Sequence, residues 1–459
     1  METQDKPLLA DIAKSEAMRE GVGTLRLVFT PVNATSTDIS KFVDALTKTL
    51  TVEEEKSGTS TPDKHEGVLM TGTYKEVQEA FMGELRYGPF GGGPWAEMTD
   101  GLPVTPPTEE AVAEMLKGTS HDPDEIVNFW GFMAPPPGGP GAGPPGGPGA
   151  PGGPGEGPPG GPGMIPKRIA TVRKVAINAV MAGCRPEDMP AILAIAESGA
   201  CVGYPGDSSF GHFYVVSGPY AKEIGMNAGF DFLNPGNPAN TRLQRACTLM
   251  GINLGGCLQG LNCLERTGTL HWGTIFAENT DSPWEGLNEN LGYKSDESVL
   301  LAWGQKVQLV PFQQIEVMPA SGPRGDPKSP VIASLKTLTN DTGALLVFTP
   351  DTAHVWAKEF GFKNMKQLQD YVWDNVTRRK SDWMSNYWFR VHQKAEIDRN
   401  PRDSRMLNPD YYDLPDDAQV PMFISPDAIT IIVAGGSGNA WAWGGTFGKP
   451  RAISIDKWR

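Results

Sequence analysis

Ala344-Leu345-Leu346-Val347-Phe348-Thr349-Pro350 is an apolar run closed by a proline turn, and it reads as a buried strand. A helix is expected directly behind it, over 351–360, stopped by Gly361. The same order stands earlier in the chain. Val215-Val216-Ser217-Gly218-Pro219 precedes Ala221-Lys222-Glu223-Ile224-Gly225, as Val347-Phe348-Thr349-Pro350 precedes Ala357-Lys358-Glu359-Phe360-Gly361. Each is a strand, a proline turn, and a helix ending in Glu-apolar-Gly. The echo suggests two pseudo-symmetric αβ halves with a cleft between them, although this order is also common local grammar.

Working outward, strands are expected at 213–216, 274–277, 299–309 and 428–434, and helices at 167–182, 186–198, 220–224, 240–250 and 365–379. Thr108, with Glu109 and Glu110 behind it, caps a helix ending near Gly118, and a short helix is expected over 122–130. Alternating strands and helices give an α/β core over 99–459, its two halves meeting near 290–340. Residues 1–98 read as a small α+β domain, with strands at 24–29 and 67–71 and helices at 38–50, capped by Asp38, and 74–82.

The chain has 459 residues, too long for one core. Gly or Pro fill 26 of the 29 positions at 135–163. Their glycines keep a three-residue register only briefly, so an extended surface segment is expected there rather than a collagen helix. It interrupts the α/β core, as a lid, docking arm or assembly element. A net charge of −14 argues against nucleic acid and anionic membranes as partners. No stretch approaches a membrane span and no secretory signal opens the sequence, so the expectation is a cytoplasmic protein. Its five cysteines are an odd number in a large chain, and free thiols are the default.

Three groups of residues carry a resemblance. Asp100-Gly101-Leu102-Pro103-Val104 with Pro106-Pro107-Thr108, the step His121-Asp122-Pro123-Asp124-Glu125, and Ala176-Ile177-Asn178-Ala179-Val180-Met181-Ala182-Gly183-Cys184 resemble a poorly characterised bacterial family. Its members look like partners or fusion relatives of small proteins with a selenocysteine-or-cysteine Gly-Ser-Cys signature. The resemblance covers residues 100–459. It implies a thiol or selenol redox partner protein and thiol-dependent reduction or carbon–heteroatom bond cleavage. This chain has no Cys-Gly-Ser-Cys of its own, and its segment before Asp100 and its Gly/Pro tract depart from the pattern.

Cys184 stands at the exit of one expected helix and before the next. There its thiol could face a positive helix end and act as nucleophile, redox thiol or metal ligand. The alternative is a small buried hydrophobe. Asn178 and Glu187 flank it, Asn178 as an amide on an apolar stretch and Glu187 as an acid/base candidate. Glu278 and Asn279, at a strand end before Ser282-Pro283-Trp284, occupy a place where α/β proteins put functional side chains. His212 is a further acid/base candidate. Cys247, Cys257, Cys263 and His271 allow a metal ion, at a spacing unlike a zinc knuckle. Gly435-Gly436-Ser437-Gly438 could cradle an anion or cofactor phosphate, but the chain has no nucleotide fingerprint. The leading reading is an enzyme acting on a small molecule, in a homo-oligomer. A metal-dependent lyase or hydratase and a non-catalytic assembly subunit are the alternatives.

Overall fold

The computed structural model describes residues 36–49, 51–52, 71–82, 86–87, 94–95, 98–130, 168–200, 211–234, 236–255, 274–307, 313–315, 328–336, 343–385, 411, 413–423, 425–437, 440–445 and 450–459. The Gly/Pro tract and the strands expected at 24–29 and, but for Thr71, 67–71 lie outside them. The chain divides into two units, 1–79 and 80–459, where the sequence suggested a boundary at 98. In the first, α1 (Ser36–Thr47) begins before the expected cap Asp38. Helix α2 (Tyr74–Met82) straddles the division.

The second unit opens with a short antiparallel pair, β1 (Arg86–Tyr87) and β2 (Pro94–Trp95). Helix α3 (Glu109–Leu116) is capped as expected, Thr108 accepting from the Ala111 N–H. The helix expected over 122–130 does not form. Strand β3 (Ile126–Trp130) stands there, antiparallel to β4 (Arg168–Thr171). The acidic residues before Ile126 imitate a helix start, but a cross-strand partner outweighs that local signal. Pairing also shortens the helix expected over 167–182: Thr171 ends β4 and caps α4 (Val172–Met181) by accepting from the Lys174 N–H. Trp130 lies opposite Arg168, so the chain leaves and returns at adjacent positions on either side of 131–167.

Helix α5 (Met189–Ser198) is apolar around almost its whole circumference and is accordingly buried, and Gly199, at φ +66°, stops it. There follow β5 (Gly211–Ser217), α6 (Tyr220–Glu223), α7 (Pro238–Asn253), β6 (Thr274–Ala277), α8 (Leu287–Asn290) and β7 (Val299–Val307). Then come β8 (Gln313–Ile315), α9 (Lys328–Leu335), β9 (Gly343–Phe348), α10 (Pro350–Glu359) and α11 (Met365–Asn375). The helix expected over 365–379 ends early because β10 (Thr377–Arg379) pairs with β11 (Gln419–Pro421). Strands β12 (Ile429–Val433), β13 (Ala440–Gly445) and β14 (Arg451–Ser454) close the unit.

Two four-stranded sheets, in the orders β6-β5-β7-β14 and β12-β9-β13-β8, hold this α/β unit together among the described residues. They share one plan. A parallel pair (β5 with β6, β9 with β12) continues through two antiparallel neighbours. The registers agree as well: Val216 pairs with Ala277 and Leu300, and Leu300 with Ile453. In the second sheet Phe348 pairs with Val433, Trp441 pairs with Val347, and Ala440 pairs with Ile315. The outer strands are exchanged, since β8 follows β7 in sequence but pairs in the second sheet, and β14 follows β13 but pairs in the first.

Alternation along the strands sorts their side chains into three cores. Tyr214, Val216, Ile275, Leu300 and Ala302 face α4, α5 and α7. Ala344, Leu346, Phe348, Ile429 and Ile431 face α9, α10 and α11. The intervening Phe213, Val215, Phe276, Leu301, Leu345, Val347 and Ile432 meet in a core between the sheets. The unit is thus layered helix, sheet, sheet, helix. Each large side chain buried this way contributes roughly 1.5–3 kcal/mol. No described helix is long and apolar enough to cross a membrane.

Candidate functional site

The parallel strands of both sheets end in the same neighbourhood. Beyond β6, the Glu278 N–H donates to Val216 O (2.9 Å), and beyond β12 the Ala434 N–H donates to Phe348 O (2.9 Å). Glu278 and Ala434 are therefore equivalent in the two halves, as are Ser217 and Thr349. The Asn279 N–H then crosses to Val433 O (2.7 Å), tying the end of the first sheet to the end of the second. Carboxyl ends of parallel strands are where open α/β sheets present functional groups.

Glu278 continues the side of β6 that faces the core between the sheets, so its carboxyl group is enclosed although the residue as a whole is half-buried. Ser217 Oγ donates to its Oε2 (2.5 Å), and the Leu287 N–H, opening α8, lies 3.0–3.1 Å from both oxygens. The Asn288 N–H in turn fixes Ser217 Oγ (2.9 Å). Burial raises the Glu278 pKa to about 7, against the lowering effect of the Ser217 and Leu287 bonds and with some help from Glu289. A carboxyl group with that value can accept or deliver a proton near neutrality. Asn279 turns the other way, Nδ2 donating to Ala228 O (3.2 Å). Its Oδ1 accepts from the Asp281 N–H (2.9 Å), and Asp281 holds His354 Nε2 at 2.8 Å.

In the turn after β12, where an anion cradle was expected, the first N–H is already engaged within the protein. The Gly435 N–H is occupied by Ala228 O (2.7 Å), and the chain continues into a strand rather than a helix. Phe230 covers Gly436 so closely that a Cβ there would lie 2.2 Å from the ring. Ser437 is exposed, and Gly438 lies outside the described residues.

Cys184 is held apart from this region, on the outer helical layer. It packs against the first core, and its Sγ donates to Arg242 O on α7 (3.4 Å). Burial, and then the Asp188 carboxylate, push the thiol well above its usual range, outweighing Arg242 and Arg245. The expected thiolate is disfavoured. Asp188 is fully buried and grips Arg242 with both oxygens (2.8 and 3.1 Å). Asn178 is satisfied within the helical layer: Nδ2 donates to Lys174 O (2.9 Å) and Oδ1 accepts from Asn253 Nδ2 (2.8 Å). The Glu187 side chain is half-exposed beside Arg185, and only its carbonyl is engaged inward, by Tyr220 Oη (2.6 Å).

His212 belongs to β5, where the pairing with β7 shifts register between Gly211 and Phe213. Cys247 is buried and its Sγ donates to Tyr214 Oη (3.3 Å). Cys257, Cys263 and His271 lie outside the described residues, among which no three His, Cys, Asp or Glu side chains form a metal-binding group. Reading the motifs one by one missed Ser217 and Asn288. The two strand-proline-helix units set Ser217 opposite Thr349, whereas Glu278 and Asn288 lie outside both units and are brought to Ser217 only by the pairing of β5 with β6 and the turn into α8. The chain matches no family model, no curated protein and no solved structure.

Proposed function

We propose that this chain is an enzyme that cleaves a carbon–heteroatom bond in a small molecule, with Glu278 moving the proton. The observation that carries the reading is the enclosed Glu278 carboxyl group, with a pKa near 7, at the paired ends of two sheets. Its partners fix its orientation without quenching it: Ser217 and the Leu287 N–H favour the charged form, burial favours the neutral one, and the balance falls where both are populated. The equivalent position of the other half is Ala434, so the sheet-end geometry does not itself need a carboxylate. A protonated Glu278 supplies the leaving heteroatom with its proton, and the carboxylate removes one from carbon or water. The rival reading, a thiol reaction at Cys184, needs a thiolate in surroundings that oppose it.

The test incubates wild-type protein and Glu278→Gln with a mixed small-molecule library, reading consumption by mass spectrometry. The expected result is a compound consumed by the wild type and about 10²–10⁴-fold more slowly by Glu278→Gln, with unchanged circular dichroism. Consumption that survives Glu278→Gln but disappears in Cys184→Ser would return the chemistry to the thiol.

A further inference from the structure

Thr119, Ser120 and His121 are consecutive, and each addresses a different main-chain oxygen of the turn at 456–459. Thr119 Oγ1 donates to Trp458 O (2.7 Å), Ser120 Oγ to Arg459 O (2.6 Å), and His121 Nε2 lies 2.6 Å from Lys457 O. The other ring nitrogen, Nδ1, lies 2.9 Å from Glu125 Oε2. Neither a carbonyl nor a carboxylate can donate, so only an imidazolium, with an N–H on each side, satisfies both contacts. Either neutral tautomer sets one ring lone pair against an oxygen. The ring also packs, tilted by 48°, against the indole of Trp458 at a centroid distance of 4.6 Å.

We propose that residues 119–121 are a pH-operated clasp, closed on the 456–459 turn while His121 carries its proton and loosened when the proton is lost. The charged groups around the ring agree with this reading. Glu125 faces it from its own segment, while Asp124 there is engaged by Arg173. From the turn, Lys457 opposes the charge, its ammonium 4.8 Å from the centroid of the same Trp458 indole and paired with Glu197 on α5 (2.6 Å), which also accepts from Trp458 Nε1 (2.8 Å). Arg459 is occupied by Asp456 and Glu223 (2.8 Å each). Burial of the ring works against protonation, but the Lys457 carbonyl and Glu125 outweigh it and hold His121 above its usual 6.5. A histidine raised on folding stabilises fully below 6.5, and that contribution is lost as pH rises through the raised value. The turn is tied to the sheets as well: Asp456 Oδ2 accepts from the Ser298 N–H (2.6 Å), and Ser298 Oγ accepts from the Tyr220 N–H (3.0 Å). Opening the clasp therefore releases the segment that braces the starts of β7 and α6.

The test is hydrogen exchange of residues 455–459 in the full chain between pH 5.5 and 9, corrected for intrinsic rates, alongside an NMR titration of His121. Protection should fall in the wild type as pH rises above 6.5, through the raised value of His121. His121→Gln should lack this step, and Glu125→Gln should lower the His121 midpoint. A His121 midpoint at or below 6.5, or the same pH course in wild type and His121→Gln, would overturn the clasp. Should His121→Gln fail to fold, the Glu125→Gln titration decides alone: an unmoved midpoint rejects the proposal.

Discussion

At Glu278, burial and hydrogen bonding pull in opposite directions, and burial wins. The consequence is a pH dependence of opposite sign to that of most carboxylates. Its pKa rises on folding from 4.5 to about 7, so the folded state holds a proton that the unfolded chain has released. The associated stability is complete below pH 4.5 and is lost as pH climbs through 7. Glu278→Gln removes the ionisation, and its stability relative to wild type should increase between pH 5 and 8 by an amount on the order of 3 kcal/mol. Urea unfolding of both proteins at several pH values measures it, and parallel curves would refute the burial argument. Cys184 is the opposite case: with its thiolate disfavoured by burial and by Asp188, it should react with iodoacetamide at pH 7.5 well below the rate of a free thiol, followed by peptide mass spectrometry. The place of Glu278 at a strand end was legible because a strand before a turn is visible in sequence. The state of Cys184 was not, because neither Asp188's side-chain direction nor the approach of α7 is written in the residues next to it.

Helix α7 is pinned along its length by side chains from remote segments. Arg242 meets Asp188, Arg245 meets Asp100 with both nitrogens (2.9 and 3.1 Å), and Asn253 meets Asn178. Asp100 and Asn178, from the motifs at 100–104 and 176–184, and Asp188 just beyond them thus hold one helix. Asp188→Ala leaves the largely buried Arg242 without its partner and also removes the acceptor of the Arg185 N–H. Loss of one member of a buried pair costs about 3–5 kcal/mol, and chemical denaturation should show a loss of that size. Cys184→Ala, which removes one sulfur from the same neighbourhood, should cost less than half as much. A loss at Cys184 equal to that at Asp188 would mean that the thiol, and not the ion pair, anchors α7. Elements whose signal is local, such as β9, β12 and α5, were readable from apolar runs. Strand β3 and the N-terminal end of α4 were not, because the partner of 126–130 enters only after residue 167.

The echo between the strand-proline-helix units corresponds to a real repetition of topology, but it concealed how the halves are joined. Strands β8, β13 and β14 gave no usable signal, the outer two being three and four residues long, and their exchange is fixed only by pairing across the molecule. Each half borrows its fourth strand from the sequence that follows the other. Neither sheet can then be completed by its own segment, and the two should unfold as one cooperative unit. Ile453 on β14 provides the test, because it belongs by sequence to the second half and is buried in the first core. Placing Asp there buries an unpaired charge and should cost more than about 3 kcal/mol. If exchange couples the halves, hydrogen-exchange protection of β9 and β12 should fall together with that of β5 and β7, although Ile453 pairs with β7 and belongs to the first core. Retained protection in β9 and β12 beside an opened first sheet would show that two autonomous halves merely share strands. A common fall identifies the exchanged strands as what makes one folding unit of 80–459.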